Sequence, residues 1–442
     1  MITQLKLFRS SFLDFIDDPF YESEETSVRY LADGLLVVES GIIIDFDDYN
    51  ILKDKYQGFT ITHYPDLLIL PGFIDTHIHF PQTEMIASYG EQLLEWLNQY
   101  TFPTERKFSS KEYAQKIASF FLDELLKNGT TTALVFATVF PQSVDAFFEE
   151  AERRNLRMIS GKVMMDSHAP DYLKDTPETS YQDSKRLIQT WHKKGRLLYA
   201  ITPRFAITSS REQLKIAGKL LTEFPDVYLQ THLSENLKEV EFVAGLFPEA
   251  PNYLGVYDQA GLVGERSIFA HSIHLTPDEF KRLSEAKSAI AFCPTSNLFL
   301  GSGLFKLHQA KSKTHPINVG LGSDIGAGTS FSLLQTANEA YKVAQLQNQT
   351  LSPFQALFLA TLGGAKALKL EDKIGNFDIG KEADFIVLDY NSTPLMRLIN
   401  QQISEPQTRL KIAETIFSLI ILGDDRAIQA TYIMGERAYS KE

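Results

Sequence analysis

The 442-residue chain predicts an α/β protein, a (β/α)8 TIM-like barrel with a small β-sandwich domain assembled from its N- and C-terminal segments. Three observations carry that prediction. The middle of the sequence alternates apolar strand-like runs with amphipathic helical runs; the strand-like runs number eight; and both ends hold short β-rich runs punctuated by Gly and Asp.

From Leu5 to about Leu70, runs such as VRYLADGLLVVESGIIIDF show no sustained helical period, so residues 1–70 read as a small β unit. The barrel segment, residues 71–371, follows. LLILPGFIDTHIHF leads into its first strand. TTALVFATV precedes helical SVDAFFEEAERR, RMISGKVMM precedes SYQDSKRLIQTWHKK, and LLYAITPRF precedes REQLKIAGKLLTEF. VYLQTHLSE, SIFAHSIHL, SAIAFCPTSN and NVGLGSDIG bring the strands to eight, enough to close a parallel sheet on itself. Two helices, SLLQTANEAYKVAQLQ and SPFQALFLATLGGAKALKL, come next, and β texture returns over residues 372–442 in GNFDIGKEADFIVLDY and AIQATYIMGERAYS. Each end is too small to bury a core alone, so the two are expected to pack together as one sandwich.

A chain that is 44% hydrophobic and 22% charged can bury a large core, which excludes disorder. A net charge of -13 argues against a nucleic-acid partner, which would need a basic face, and favours a small neutral substrate. The single cysteine, Cys293, cannot form an internal disulfide, and the N-terminal MITQLKLFRSSFLDFIDD mixes acids into its apolar pattern as a signal peptide would not. A cytoplasmic location is expected. No apolar stretch approaches the roughly 18 residues needed to span a bilayer, so no membrane partner is expected.

His77 and His79 lie two apart in FIDTHIHF, and on a strand such residues share a face. The apolar run ends here, placing them near the strand's C-terminal end, where barrel enzymes hold their chemistry. Two such histidines alone are ordinary surface or core residues; the case rests on further ligand types at later strand ends. His232 stands 155 residues after His77, about 39 for each of four βα units, and His271 a further 39 for one more. Asp324 follows 53 later, about 26 for each of two units, against roughly 31 when about 250 residues make eight units. His77, His79, His232 and Asp324 are therefore the expected metal ligands. Three imidazoles and a carboxylate suit zinc, although iron or manganese accept similar donors. Strand four ends on Arg204, not on the lysine that bridges two metals in some barrel hydrolases, so one metal is expected. HExxH is absent, and one cysteine cannot supply Pro-Cys-X-X-Cys.

Glu235, three residues past His232, is the candidate proton shuttle; its plainer alternative is a helix-start acid. Asp324 can also accept a proton from an activated water. His271 is a fourth ligand or a hydrogen-bond donor to water or substrate, the second being preferred. His274, at an odd offset, is expected to point elsewhere. His63, His168, His192, His308 and His315 show no paired spacing and read as surface or structural residues, and Cys293 as core packing on strand seven.

Between Pro71 and Glu105, PGFIDTHIHFPQ runs into GEQLLEWLNQYTFPTE; TPRF, THLSEN, AHSIHL, PTSNLFLGSG and GLGSDIGAGTSFS follow in order, then FDIGKEADFIVLD. On these motifs the chain resembles the amidohydrolase superfamily and, within it, the guanine deaminases over nearly its whole length. The resemblance implies one zinc ion per subunit on His77, His79, His232 and Asp324, hydrolytic deamination of guanine to xanthine and ammonia, and a homodimer. It implies that Gln82, Arg204 and Phe205 line the base pocket, with His79, His232, His271 and Asp324 also touching substrate, and that Glu235, Asp324 and His271 carry the catalysis. The residue types agree: Arg204 is a fixed donor suited to a purine carbonyl, Gln82 both donates and accepts, and Phe205 offers an apolar face. AHSIHL departs from many relatives, which have Gly where Ser272 stands. The rivals are an amidohydrolase acting on another purine, a pterin or a triazine, and, more remotely, a non-catalytic scaffold. The intact ligand set and Glu235 speak against the scaffold.

Overall fold

The β-rich N-terminal segment forms four strands in the computed structural model, which describes residues 5–90, 92–401 and 409–441. Residues 1–4 and Glu91 of the GEQLLEWLNQYTFPTE segment lie outside the described residues. The strands are β1 (Leu5–Phe15), β2 (Val28–Glu39), β3 (Ile42–Asp48) and β4 (Ile61–Pro71). β2 and β3 form a hairpin that turns on Ser40 and Gly41, both at positive φ, as a two-residue connection between twisted strands requires. The chain leaves β4 through Gly72, where a Cβ would stand 2.1 Å from the Thr131 hydroxyl. LLILPGFIDTHIHF is thus two strands, its first half in the terminal sheet and its second half in the barrel.

The barrel strands are β5 (Phe73–His79), β6 (Thr130–Phe136), β7 (Arg157–Gly161), β8 (Val163–Met164), β9 (Leu198–Pro203), β10 (Tyr228–Leu233), β11 (Ser267–His271), β12 (Ala289–Phe292) and β13 (Asn318–Leu321). All eight predicted runs are present. β7 is interrupted at Lys162 and continues as β8 against β9. The order β5-β6-β7-β9-β10-β11-β12-β13 follows the sequence, and the pairs from β6 to β13 are parallel. β5 and β6 are buried at every position, as strands covered on both faces must be. The ends of the sheet join where Asp324 N donates to His77 O (2.9 Å), His79 N to Ile325 O (3.3 Å) and Thr76 Oγ1 to Leu321 O (2.9 Å).

The C-terminal segment adds β14 (Phe385–Leu388), β15 (Ile428–Ile433) and β16 (Glu436–Ser440). Both ends share one seven-stranded sheet, ordered β16-β15-β14-β4-β1-β2-β3. β4 joins the two contributions, parallel to β1 and antiparallel to β14. The far edge returns toward β14, since Ile42 bridges Glu382 and Ile43 N donates to Lys381 O (2.8 Å). Phe8, Phe12, Leu36, Ile69, Phe385, Val387 and Tyr432 form one enclosed core, which neither end could build alone.

Two compact units result. One holds Met1–Ile74, Glu124–Thr131 and Ser332–Glu442, so the helices Leu333–Leu346, Pro353–Leu359 and Leu362–Ala367 group with the sheet; the other holds Asp75–Asp123 and Thr132–Phe331. Every candidate site residue lies in the second. Among the described residues no helix is long and apolar enough to cross a membrane.

Candidate active site

The candidate residues converge at the C-terminal ends of the barrel strands. β5 delivers His77 and His79, β10 delivers His232, β11 ends on His271, and Asp324 follows β13. The backbone is left-handed at Ser234 (φ 49°), His271 (66°), Ser272 (54°) and Asp324 (52°). Such strain persists only where the surrounding structure enforces it, and here it turns the chain away from the strands just as they present their side chains. Ser272 N donates to Leu233 O (2.8 Å) and Ile273 N to Ser234 O (3.1 Å), binding the turns after β10 and β11 together.

His77 Nε2 lies 3.2 Å from His79 Nε2 and 3.2 Å from Asp324 Oδ1; His79 Nε2 lies 3.3 Å from both His232 Nε2 and Asp324 Oδ1. Donors held about 2.0–2.2 Å from one ion at tetrahedral angles are themselves about 3.3 Å apart, the spacing of these four contacts. The ring chemistry agrees. His232 Nδ1 donates to the Arg204 carbonyl (2.7 Å), leaving its Nε2 lone pair aimed at the other donors. Burial pushes the imidazolium form of His77 down, that of His79 to about 3, and that of His232 well below its ordinary range. Burial alone would raise the Asp324 carboxyl, but His77, His79 and His271 hold it well below the usual range. Neutral imidazoles around a carboxylate are the protonation states a metal requires. Phe136 stacks on His79 at 4.5 Å and gives the centre an apolar wall.

Glu235 is buried, and Ser302 Oγ donates to its Oε1 (3.1 Å). It does not cap the following helix, Leu237–Leu246. Asn236 is the N-cap, and Glu239 closes the capping box while accepting from both Glu235 N (2.8 Å) and Asn236 N (3.0 Å). Glu235 is thereby left to the cavity. Burial and the Asp324 charge push its carboxyl up to about 8. His271 Nδ1 contacts Asn297 Oδ1 at 2.8 Å, while its buried Nε2 has no hydrogen-bond partner and faces Glu235 Oε2 at 3.5 Å and Asp324 Oδ2 at 3.8 Å. That ring nitrogen is free for a water or a substrate atom.

A cavity opens on these groups. His79, Gln82, Arg204, Phe205, His232, His271 and Asp324 all line it, and so does Glu235; His77 lies behind. Leu93, Trp96, Leu97 and Leu300 supply apolar walls that the sequence did not single out individually, although three of them come from the GEQLLEWLNQYTFPTE segment that carries the family resemblance. Glu105, which ends that segment, was also missed. It is completely buried and takes two hydrogen bonds from Arg204 Nη1 (2.8 and 3.0 Å) and one from Gln82 Nε2 (3.4 Å). Asn297 and Ser302 come from PTSNLFLGSG, which gives that motif its physical content.

His274 points away from the cavity, its Nε2 on the Ser302 carbonyl at 2.8 Å. Cys293 sits one residue past β12 at the start of helix Pro294–Phe299; its buried Sγ is within 4.8 Å of ligand atoms of His77, His271 and Asp324. His192 Nδ1 accepts from Tyr199 N at 3.1 Å, a structural contact.

The Amidohydrolase family model matches residues 68–438. The chain is 53% identical over 441 residues to the guanine deaminase of Escherichia coli (strain K12), covering 99% of this chain and 98% of that one. The crystal structure of guanine deaminase from Bradyrhizobium japonicum superposes with a TM-score of 0.97 at 42% identity, and that of C. acetobutylicum, with guanine bound in the active site, with 0.88 at 31%. Each covers 99% of this chain and 100% of the other. A strand-end group of three imidazoles and a carboxylate at one cavity is thus accompanied by full-length likeness in sequence and structure, and the chain belongs to the amidohydrolase family and, within it, to the guanine deaminases.

Proposed function

We propose that this chain hydrolyses guanine to xanthine and ammonia at a single zinc ion held by His77, His79, His232 and Asp324. The observation that carries the reading is that three of these donors, His79, His232 and Asp324, line the same cavity as Glu235, His271, Arg204 and Gln82, with His77 Nε2 3.2 Å from both His79 Nε2 and Asp324 Oδ1. When bound, zinc supplies the Lewis acidity that brings the pKa of water from about 15.7 toward roughly 7.

The protein's own groups do the rest. Asp324, kept ionised by its imidazole neighbours, accepts the proton of the attacking water. Glu235, whose carboxyl is raised to about 8, holds a proton at neutral pH and gives it to a ring nitrogen as the water oxygen adds to the carbon bearing the amino group. His271 Nε2 hydrogen-bonds the oxygen at the tetrahedral carbon. Proton transfer to the amino group, relayed from Asp324, lets the C–N bond break and ammonia leave, while the remaining hydroxyl proton passes to the ionised Glu235 as the C=O bond forms. Arg204 donates to the purine carbonyl, Gln82 reads the adjacent ring edge and Phe205 covers the ring face.

Purified protein of known metal content, incubated with guanine, adenine, cytosine and a pterin, is expected to release ammonia from guanine fastest; equal or faster release from another base overturns the substrate. Glu235→Gln is expected to keep its metal and lose turnover by about 100-fold or more. Near-normal rates would remove Glu235 from the mechanism. Preparations with no transition metal and no ammonia from any base would favour the scaffold reading. Zinc as the resident ion, a homodimer and a cytoplasmic location belong to the same proposal, and elemental analysis and light scattering test the first two.

A further inference from the structure

We infer that Glu105 is a positioning residue that sets purine specificity by fixing what Arg204 and Gln82 present to the substrate; this rests on the proposed deamination of guanine. Three observations lead there. Glu105 does not line the cavity, yet both of its side-chain partners do. Its carboxylate is completely buried, and a charge taken out of water at that depth persists only when paired. The residues it joins come from separate elements: Gln82 from the turn after β5, Arg204 from the end of β9.

The pairing dictates orientation. Both bonds from Arg204 leave from Nη1, so Glu105 fixes where that nitrogen sits, and Nη2 and Nε are not taken up by Glu105. Phe102 packs beside it, with its ring centroid 5.7 Å from Arg204 Cζ. Gln82 turns Nε2 toward Glu105 at 3.4 Å; the reverse rotamer would set Oε1 against a carboxylate, acceptor on acceptor. The carbonyl oxygen of Gln82 is therefore left as an acceptor. A fixed donor beside a fixed acceptor matches a 6-oxo purine, whose carbonyl accepts and whose neighbouring N1–H donates. The same pair opposes a 6-amino purine, where the amino group donates and N1 accepts, and it gains nothing from a purine unsubstituted at C6. Sites that hydrogen-bond a substrate group reject analogues lacking it far more strongly than apolar pockets do.

The test uses competitive inhibition of the zinc-loaded protein by hypoxanthine, which keeps the 6-oxo edge but has no amino group to lose, and by unsubstituted purine, which lacks that edge. In the wild type hypoxanthine is expected to bind at least about tenfold more tightly than purine. In Glu105→Gln hypoxanthine binding is expected to weaken about tenfold or more while purine binding and zinc content hold, closing the gap. Glu105→Asp keeps the charge with a shorter reach, and is expected to narrow the gap less; it decides the matter if Glu105→Gln does not fold. A wild type with no gap, a gap that stays open in the folded variants, or a parallel loss of both ligands overturns the inference. Ammonia release from guanine by the wild type is followed in parallel. Its absence sinks the proposed function, whereas its presence with an unchanged gap sinks only the role of Glu105.

Discussion

Ser272 holds a left-handed backbone with a buried hydroxyl that has no hydrogen-bond partner. A side chain in that conformation costs roughly 1–2 kcal/mol, part of which Gly loses again through its freer unfolded chain. Ser272→Gly is therefore expected to stabilise the protein by about 0.5–1 kcal/mol, read as a higher urea midpoint at unchanged slope. Asn297 offers a second residue-scale test. If His271 serves water or substrate and not the metal, Asn297→Ala frees its ring and lowers turnover about tenfold or more while metal content stays whole. Loss of metal in that variant would make His271 a ligand. The proposed ligands stood out in the sequence because each is a donor type at the end of an apolar run and the runs recur at the spacing of βα units. Glu105 and Ser302 did not, because what defines them is a partner 99 and 67 residues away, Arg204 and Glu235.

The turn after β10 depends on the helix that follows it. Glu239 accepts from Glu235 N and Asn236 N through one oxygen and from Tyr253 Oη (2.7 Å) through the other. Glu239→Ala leaves those buried donors unpaired, and is expected to cost about 1–3 kcal/mol of stability and to lower turnover with metal retained, measured by thermal melts beside initial rates. β7 and β9 show a tighter constraint. A Cβ on Gly161 would come within 1.7 Å of the Ala200 carbonyl oxygen, so Gly161→Ala is expected to destabilise by about 3 kcal/mol or more, or to prevent soluble expression. Strand count and order followed from the alternation of apolar and amphipathic runs. The breaks at Gly72 and Lys162 did not, since what demands Gly72 is Thr131, a contact with no trace in local periodicity.

At the scale of the molecule, the meeting of the two ends was legible because neither could bury its apolar face alone; the continuous order of the seven strands and the central place of β4 were not, since periodicity does not encode pairing. Metal binding should stabilise the whole second unit, because its donors come from the first, fifth and eighth strands. Chelation is expected to lower the melting temperature reversibly, with recovery that scales with free zinc and reaches about 2.7 kcal/mol at a hundred times the dissociation constant. A melting temperature indifferent to zinc would argue against the quartet as a binding site. The join between the first and last barrel strands also bears on synthesis. Asp75 accepts from Ser323 N at 3.1 Å, 248 residues further along, beside the backbone bond from Asp324 to His77. A nascent chain therefore carries its His-X-His pair through most of translation with no carboxylate to complete it. The finished ion site and the closed barrel arrive in one step, and a polypeptide released early from the ribosome should hold neither.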